Sequence, residues 1–422
     1  MSDFIRKEIC EGVAFNVIND NRFKIGRISA TLLVPLNKKN AAANALLSCV
    51  LTRSCKKYPD FTALSKKLDE LFGAALYPSV RRIGDFQAVT ISITGLDDKF
   101  ALDNASVSSE LTDLLCSIIF EPNLVDGHFV TEDVEQERRQ LIENIDADFN
   151  DKRLYAIKRC TEIMCKDELF SIGRYGSRED VIALTDDDIY NAWINLLDTA
   201  RIELTMLGNT NPENTFNGFK KYFENKPRHQ SHSTQIVSDV KDVKRVIETE
   251  DVAQSKLVMG FRCAYPETDE EIVANSLMSA ILGGIPTSKL FANVREKMSL
   301  CYYCVSRVDN QKGIMLIDSG VETQNIEKAE KAILEQLDAL ICGDITDEEI
   351  TSAKLALKNS YISSLDSLAS MQGFFISGIL RENPLTPQKA AEIVDTISRK
   401  QIVSLAQKIK LDTVFSLIGN DN

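Results

Sequence analysis

The sequence has 422 residues, a length that favours two or more domains over a single core. Its formal net charge of −13 at pH 7 argues against a nucleic-acid partner, because a phosphate backbone would be repelled. The start, MSDFIRKEICEGVAF, has no basic stretch followed by an apolar core, and no segment reaches about 18 apolar residues. We therefore expect a cytoplasmic protein without a membrane segment. Its ten cysteines are expected to be reduced thiols.

The first half of the chain predicts strands alternating with helices. Residues 23–36 (FKIGRISATLLVPL) are rich in β-branched and apolar residues, which favours a strand. Residues 40–53 are apolar on nearly every side, which predicts a buried helix, and residues 61–73 predict an amphipathic helix ending at Gly73. The remaining predicted elements are a strand at 87–94, helices at 104–120, 131–146, 151–165 and 185–197, and a strand at 200–207.

The second half repeats this order after a segment without periodicity at 224–238. The matching elements follow at an offset of roughly 220 to 230 residues, which indicates a duplicated domain. They are a strand at 255–265, helices at 269–282 and 287–298, a strand at 314–321 and a helix at 325–341. We therefore expect an α+β fold with two homologous tandem domains, 1–223 and 239–422, joined by a linker at 224–238. Each domain is expected to be one antiparallel sheet with helices packed on one face.

The stretch from Gly283 to Tyr303, GGIPTSKLFANVREKMSLCYY, predicts a turn, a helix and the start of a strand. The buried face of that helix is expected to contain Leu290, Phe291, Val294 and Met298. Arg295 on its polar side and Tyr302 at the strand start can both donate hydrogen bonds to one carbonyl or oxyanion. The alternative is structural, with an arginine that caps its own helix and a tyrosine whose ring lies in the core.

This stretch, with the preceding LVMGFRCAYPETDEEIVANSLMSAIL, is similar to the second-domain signature of the insulinase/pitrilysin-type zinc metallopeptidases, in the subfamily of the mitochondrial processing peptidase. The signature contains Gly-Gly, Ser-(Lys/Arg)-Leu-Phe, Arg-Glu-Lys and Leu-(Ala/Cys)-Tyr. The resemblance implies two homologous domains that close like a clamshell around a peptide. It also implies that Arg295 and Tyr302 contact the substrate near the scissile bond.

The first domain departs from the pattern of active members. They carry His-x-x-Glu-His on the first buried helix, two zinc ligands and a general base, with a carboxylate ligand further along the chain. At those positions this sequence has Ala45, Ser48 and Cys49. The downstream helix retains Glu137, but the third ligand position falls on Asn144, with Glu143 beside it. The resemblance therefore implies a degenerate zinc site that holds no metal.

Zinc sites elsewhere have little support from the sequence. The chain has three histidines, His128, His229 and His232, and the last two lie in the predicted linker without an adjacent cysteine or carboxylate. Cys301 and Cys304 have the spacing of a metal or redox pair. Residues three apart on a regular strand face opposite sides, however, so we interpret both cysteines as core residues.

The resemblance predicts a protein that is inactive on its own and acts as the non-zinc subunit of a heterodimeric peptidase. Its partners would be a homologous subunit with an intact zinc site and a peptide substrate, with zinc as cofactor in that subunit only. Within the family the likeness is to a cytosolic bacterial group associated with the modification of elongation factor P. The alternative is a scaffold or peptide-binding protein with the same fold, in which the Arg295–Tyr302 pair has no role.

Overall fold

The computed structural model describes residues 4–102, 105–209, 212–224, 226, 228, 233–381 and 384–419. His229 and His232 lie outside the described residues. The chain divides into two compact units, one of residues 1–146 and 172–233 and one of residues 147–171 and 234–422. Residues 147–171, placed within the first domain by the sequence analysis, thus belong to the second unit. No helix in the described part of the chain is long and apolar enough to cross a bilayer.

The strands of the described residues are numbered in chain order. They are β1 (Phe4–Cys10), β2 (Val13–Asn19), β3 (Ile25–Pro35), β4 (Ala75–Ile83), β5 (Phe86–Leu96), β6 (Leu124–Val125), β7 (His128–Phe129), β8 (Arg201–Gly208), β9 (Lys244–Glu250), β10 (Ser255–Arg262), β11 (Cys301–Asp309), β12 (Ile314–Val321) and β13 (Lys410–Gly419).

The α-helices are numbered in the same way. They are α1 (Ala41–Leu51), α2 (Phe61–Glu70), α3 (Val107–Phe120), α4 (Thr131–Asn150), α5 (Lys152–Met164), α6 (Arg178–Ala183), α7 (Asp186–Thr199), α8 (Pro212–Phe223), α9 (Asp269–Ser279), α10 (Ile326–Ile341), α11 (Asp347–Ser363), α12 (Leu368–Ser377), α13 (Pro387–Thr396) and α14 (Arg399–Ala406). Two further segments, Ala280–Gly284 and Leu290–Lys297, are π-helical.

The first unit is built on a sheet with strand order β1-β2-β8-β3-β5-β4. The alternating residues Ile28, Ala30 and Leu32 of β3 lie in the core beneath the helices. The residues between them are polar, and Thr31 shares a hydrogen bond with Thr90 of β5 at 3.0 Å. Because one face is apolar and the other polar, the register of these long strands is fixed by burial.

The second unit is built on a sheet with strand order β11-β12-β10-β13-β9. Leu257, Met259 and Phe261 of β10 pack into the main core of this unit, which also contains residues of α9 and α10. On the opposite face, Val258 of β10 packs against Cys160 of α5 in a smaller apolar cluster. The helix α5 therefore covers a face of the second sheet.

The predicted duplication is visible in the order of elements. The series β3, α1, α2, β5, α3 of the first unit recurs as β10, α9, the π-helix Leu290–Lys297, β12 and α10 in the second. The sheets are not purely antiparallel, because β2 pairs with β8 and β9 pairs with β13 in parallel. Since these parallel strands hold matching places in the two sheets, the difference is itself part of the repeat.

A buried charged cluster fastens the end of α5 to the second sheet. Arg262 of β10 donates to Glu168 at 2.7 Å and to Asp412 of β13 at 2.9 Å. The ammonium group of Lys312, between β11 and β12, lies 2.8 Å from the other oxygen of Glu168. Arg262 also donates to the carbonyl of Met164 at 2.8 Å. Charges this deep are tolerated because each one has an opposite partner.

Candidate functional site

The helix that would carry the zinc motif is α1, and two of its three key positions are closed. Ala45 and Ser48 are each only 1% exposed. The hydroxyl of Ser48 donates to the carbonyl of Ala45 at 2.8 Å, so its proton is held inside its own helix. Neither a methyl group nor a hydroxyl held in this way can act as a metal ligand or a general base.

Cys49, at the third position, is half-buried and close to the carboxylate of Glu137 on α4. Burial raises the pKa of the Cys49 thiol to about 11, and the negative charge of Glu137 adds to the rise. A thiol must lose its proton to bind a metal. Cys49 is therefore a protonated thiol at neutral pH.

Glu137 is balanced by an arginine that the sequence analysis did not identify. Arg53 lies 3.6 Å from Glu137 and 3.4 Å from Asp133 of α4. It also donates to the side chain of Gln136 at 3.0 Å, and its guanidinium lies over the ring of Phe61 at 4.4 Å. Burial raises the pKa of Glu137, Arg53 counteracts the rise and Asp133 adds to it. The positive charge facing these carboxylates is thus a guanidinium.

Spacing gives only a partial signal for Arg53 and Asp133. Arg53 lies in the turn after α1, four positions beyond Cys49, and Asp133 lies one turn before Glu137 on α4. These spacings do not show that the two segments meet. Asn144 lies two turns beyond Glu137 on the same side of α4 and is exposed. Among the described residues there is no group of three or more His, Cys, Asp or Glu side chains able to hold a metal ion.

The second candidate site is the junction between the π-helix Leu290–Lys297 and β11. The backbone N–H of Met298 donates to Asn293 at 2.9 Å, and the left-handed conformation of Ser299 (φ 51°) then turns the chain into the strand. The preceding segment approaches β11 closely at Gly283, where a Cβ atom would lie 2.7 Å from the backbone nitrogen of Ser306. The glycine is needed for this approach.

The π-helical winding changes the predicted buried face. Leu290 and Val294 are buried as expected and Phe291 is half-buried. Met298, however, is 43% exposed, contrary to the prediction. A π-helix advances by more residues per turn than an α-helix, so a face predicted with α-helical spacing drifts away from the core by its last turn.

The structure brings Arg295 and Tyr302 together. The guanidinium Nε of Arg295 donates to the backbone carbonyl of Tyr302 at 2.9 Å. A second nitrogen of Arg295 lies 3.1 Å from Glu296, and its guanidinium lies over the Phe291 ring at 4.4 Å. The helix side chain therefore holds the backbone of the strand at Tyr302.

Tyr302 is the extra residue of a β-bulge. Cys301 pairs with Val321 and Tyr303 pairs with Gly320, so Tyr302 has no cross-strand partner on β12. Bulges re-aim side chains and are common at sheet edges, and β11 is the edge strand of this sheet. The Tyr302 side chain is 60% exposed as a result.

Tyr302 lines an open pocket of about 470 Å³. The loop before β10 contributes Gln254, and the end of β12 with the following turn contributes Glu322 and Thr323. The hydroxyl of Thr323 shares a hydrogen bond with Ser255 at 2.9 Å. The pocket thus has a polar rim beside a tyrosine that can donate a hydrogen bond.

Comparisons with known proteins agree with this description. A family model described as "Peptidase M16 inactive domain" matches residues 183–357. The probable inactive metalloprotease YmfF of Bacillus subtilis (strain 168) is 28% identical, with 97% of this chain and 96% of that protein covered. The crystal structure of a conserved protein from Enterococcus faecalis V583 superposes with a TM-score of 0.91 and 26% identity over 100% of both chains. The crystal structure of a protease from Helicobacter pylori has the same fold, with a TM-score of 0.72 and 17% identity over 99% of this chain and 100% of that one.

Proposed function

Because the chain belongs to the insulinase/pitrilysin-type (M16) metallopeptidase family, as a degenerate member without the zinc motif, we propose that it is the non-zinc subunit of a heterodimeric peptidase. A homologous subunit with an intact His-x-x-Glu-His motif supplies the zinc and its activated water. This chain supplies Arg295 and Tyr302, which contact the carbonyl of a peptide substrate near the scissile bond. Both subunits act in the cytosol.

The observation that carries the proposal is the contrast between the two sites. Ala45 and Ser48 are buried, and the Ser48 hydroxyl is bonded within its own helix. Arg53 forms an ion pair with Glu137 of α4. Tyr302 is instead pushed out of its strand by a bulge and lines an open pocket, with Arg295 fixed beside it. A chain that kept only the fold would have no need of an exposed phenol at this position.

In the reaction, Arg295 and Tyr302 stabilise negative charge that develops on the substrate carbonyl. Preorganised donors of this kind typically contribute about 2.7–4 kcal/mol to the transition state. Arg295 donates to the Tyr302 carbonyl through Nε and pairs with Glu296 through one terminal nitrogen, so the other terminal nitrogen is the one that serves a ligand. The narrower assignment, to the modification of elongation factor P, rests on the family likeness alone.

The first test is reconstitution with the zinc-containing homologue. We expect the purified chain alone to contain no stoichiometric zinc by elemental analysis and to cleave no peptide. In the reconstituted pair, Arg295→Ala and Tyr302→Phe are each expected to lower kcat/KM by about 10²-fold or more, as for loss of one oxyanion donor. The zinc content of the pair should stay unchanged.

The matched control is Lys297→Ala, which removes an exposed positive charge from the same π-helix two positions beyond Arg295. It should leave kcat/KM within a factor of about 2, because a screened surface charge contributes little. One equivalent of zinc in the isolated chain, or unchanged turnover in both site variants, would contradict the proposal.

One observation favours the alternative, a peptide-binding scaffold. Arg295 is engaged by the Tyr302 carbonyl and by Glu296, which is what a purely structural arginine does. In that case Tyr302→Phe should change neither turnover nor peptide affinity, whereas Arg295→Ala should lower only the melting temperature of the chain.

A further inference from the structure

Cys301 and Cys304 are core residues as interpreted from the sequence, but they lie on the same face of β11 and not on opposite faces. Their partners on β12 are Val321 and Ser319, which are two positions apart and therefore share a face. The bulge at Tyr302 adds one residue between the cysteines and restores them to one side. Both are buried, with Cys301 9% and Cys304 2% exposed.

The two thiols interact directly. A hydrogen bond from Cys304 lowers the pKa of Cys301, and Ser319 and the positive charge of Arg295 lower it further against the opposing effect of burial. The same hydrogen bond and burial raise the pKa of Cys304. Cys301 is therefore the thiol that ionises first, and Cys304 remains its proton donor.

We propose that Cys301 and Cys304 form a dithiol modification site, which a small-molecule disulfide such as oxidised glutathione converts to an intramolecular disulfide and which thereby moves Tyr302. This inference goes beyond the peptidase proposal and does not depend on it. Only the consequence for substrate contact, through Tyr302, rests on that proposed function.

The chemistry balances with the small disulfide as the oxidant. The Cys301 thiolate attacks one sulfur atom of the disulfide, which forms a mixed disulfide and releases one small thiolate. The sulfur of Cys304 then attacks Cys301 and releases the second small thiol. The proton of Cys304 passes to a departing thiolate. Two electrons move from the dithiol to the small disulfide.

Bond formation draws the backbone in at Tyr302. The cysteines lie opposite Val321 and Ser319, which are two positions apart on β12 and so about 6.8 Å apart along the strand, whereas most disulfides join Cα atoms about 5.5–6 Å apart. Tyr302 and Tyr303 are the residues between the cysteines, and Tyr302 is the one without a partner on β12. The bulge therefore absorbs the contraction, which displaces the Tyr302 carbonyl from Arg295.

Other cysteines of the chain serve as internal controls. Cys160 and Cys165 are both buried on and after α5, and burial raises the pKa of Cys160, so neither is poised to attack. Cys342 is exposed. It should form a mixed disulfide with glutathione and stop at that stage, without conversion to an intramolecular disulfide.

The experiment uses the full-length reduced protein in glutathione buffers of rising oxidised-to-reduced ratio, followed by acid quenching, alkylation and tryptic mass spectrometry. Cleavage after Lys297 and Arg307 gives one peptide with both Cys301 and Cys304, and cleavage after Arg159 and Lys166 gives the matched control with Cys160 and Cys165. We expect the first peptide to become about 2 Da lighter than the dithiol form and to resist alkylation, reversibly with dithiothreitol. The control peptide should stay fully alkylated.

Hydrogen exchange and the variant Cys304→Ser complete the test. Exchange in residues 299–308 should differ between the two forms, and Cys304→Ser should accumulate glutathione on Cys301. The proposal is overturned if both cysteines remain alkylatable at a ratio that fully modifies Cys342, or if wild-type protein stops at a mixed disulfide. It is equally overturned if the disulfide forms and exchange in residues 299–308 is unaltered.

Discussion

Arg53 is the positive charge that faces the carboxylates of α4. Its guanidinium faces Asp133 and Glu137 at 3.4 and 3.6 Å, and only about a sixth of its side chain is exposed (16%). A fixed guanidinium neutralises carboxylates without a vacant coordination position. Arg53 therefore balances the charge of both carboxylates through direct ion pairs.

Substitution of Arg53 should expose this balance. Arg53→Met keeps much of the aliphatic stem but leaves Glu137 and Asp133 unopposed, so the free energy of unfolding at pH 7 should fall by about 1 kcal/mol. The pKa of Glu137 is already raised by burial. It should rise further without Arg53, and its ionised form then penalises the folded state.

The sign of the pH dependence checks this prediction. A carboxyl with a raised folded-state pKa favours the folded state at low pH, and this contribution is lost as the pH rises through the unfolded and then the folded pKa. The loss caused by Arg53→Met should therefore be largest at pH 7 and shrink as Glu137 protonates. Urea unfolding of wild type and variant at pH 7 and at about pH 4 measures the difference in the free energy of unfolding. An equal loss at all pH values would show that packing on Phe61 is what Arg53 contributes.

The helix that contains Ala45, Ser48 and Cys49 could be predicted from the sequence, because its apolar pattern is local. The role of Arg53 could not, since Arg53 lies in the turn after α1 and the sequence does not show that this turn faces α4. The bulge at Tyr302 was also hidden. In CYYCVSRV, alternation predicts which face of the sheet each side chain points to, provided that no residue is inserted. One unpaired residue moves all the side chains that precede it to the other face.

The charged cluster at the end of α5 connects that helix to β10, to β13 and to the turn between β11 and β12. Burial acts to raise the pKa of Glu168, but hydrogen bonds from Arg262 and Lys312 outweigh it and hold the pKa below its usual value. Lys312 is fully buried and Arg262 is 2% exposed. Removing the Glu168 charge leaves both cations without full compensation.

We expect Glu168→Gln to lower the free energy of unfolding by about 3 kcal/mol at pH 7, as for other broken buried ion pairs. A carboxyl with a depressed folded-state pKa stabilises above its unfolded pKa, and this stability is lost as the pH falls through the folded pKa. The free energies of unfolding of wild type and Glu168→Gln should therefore converge below about pH 4. Glu162→Gln, on the surface of α5 and paired with Arg159 at 2.6 Å, is the control. It should cost well under about 1 kcal/mol.

The repeated order of strands and helices was predictable because each core element carries its own periodicity. The assignment of α5 was not. An amphipathic helix at 151–165 shows an apolar side but not the sheet that receives it, and its partners Val258, Phe415 and Leu417 lie in distant parts of the chain. Contact between segments so far apart leaves no local signal.

At the scale of the whole molecule, the second unit is discontinuous in sequence. A fragment that starts at residue 234 lacks α5, so the apolar face with Val258, Phe415 and Leu417 is uncovered and Arg262 loses Glu168. We expect this fragment to aggregate or to bind a hydrophobic dye. Fusion of residues 147–171 to its start through a Gly/Ser linker should restore a cooperative thermal transition. A cooperative, soluble fragment without the fusion would show that α5 is dispensable.

The place of α5 also affects the order in which the nascent chain acquires structure. Cys160 meets the carbonyl of Val258 98 positions further along the chain, and β13 is translated later still. At about 5–20 residues per second, α5 leaves the ribosome roughly 5–20 s before Val258 of β10, one of the residues that cover it. The apolar face of α5 is exposed to chaperones during that interval. The yield of native protein should therefore depend on the rate at which the intervening codons are translated.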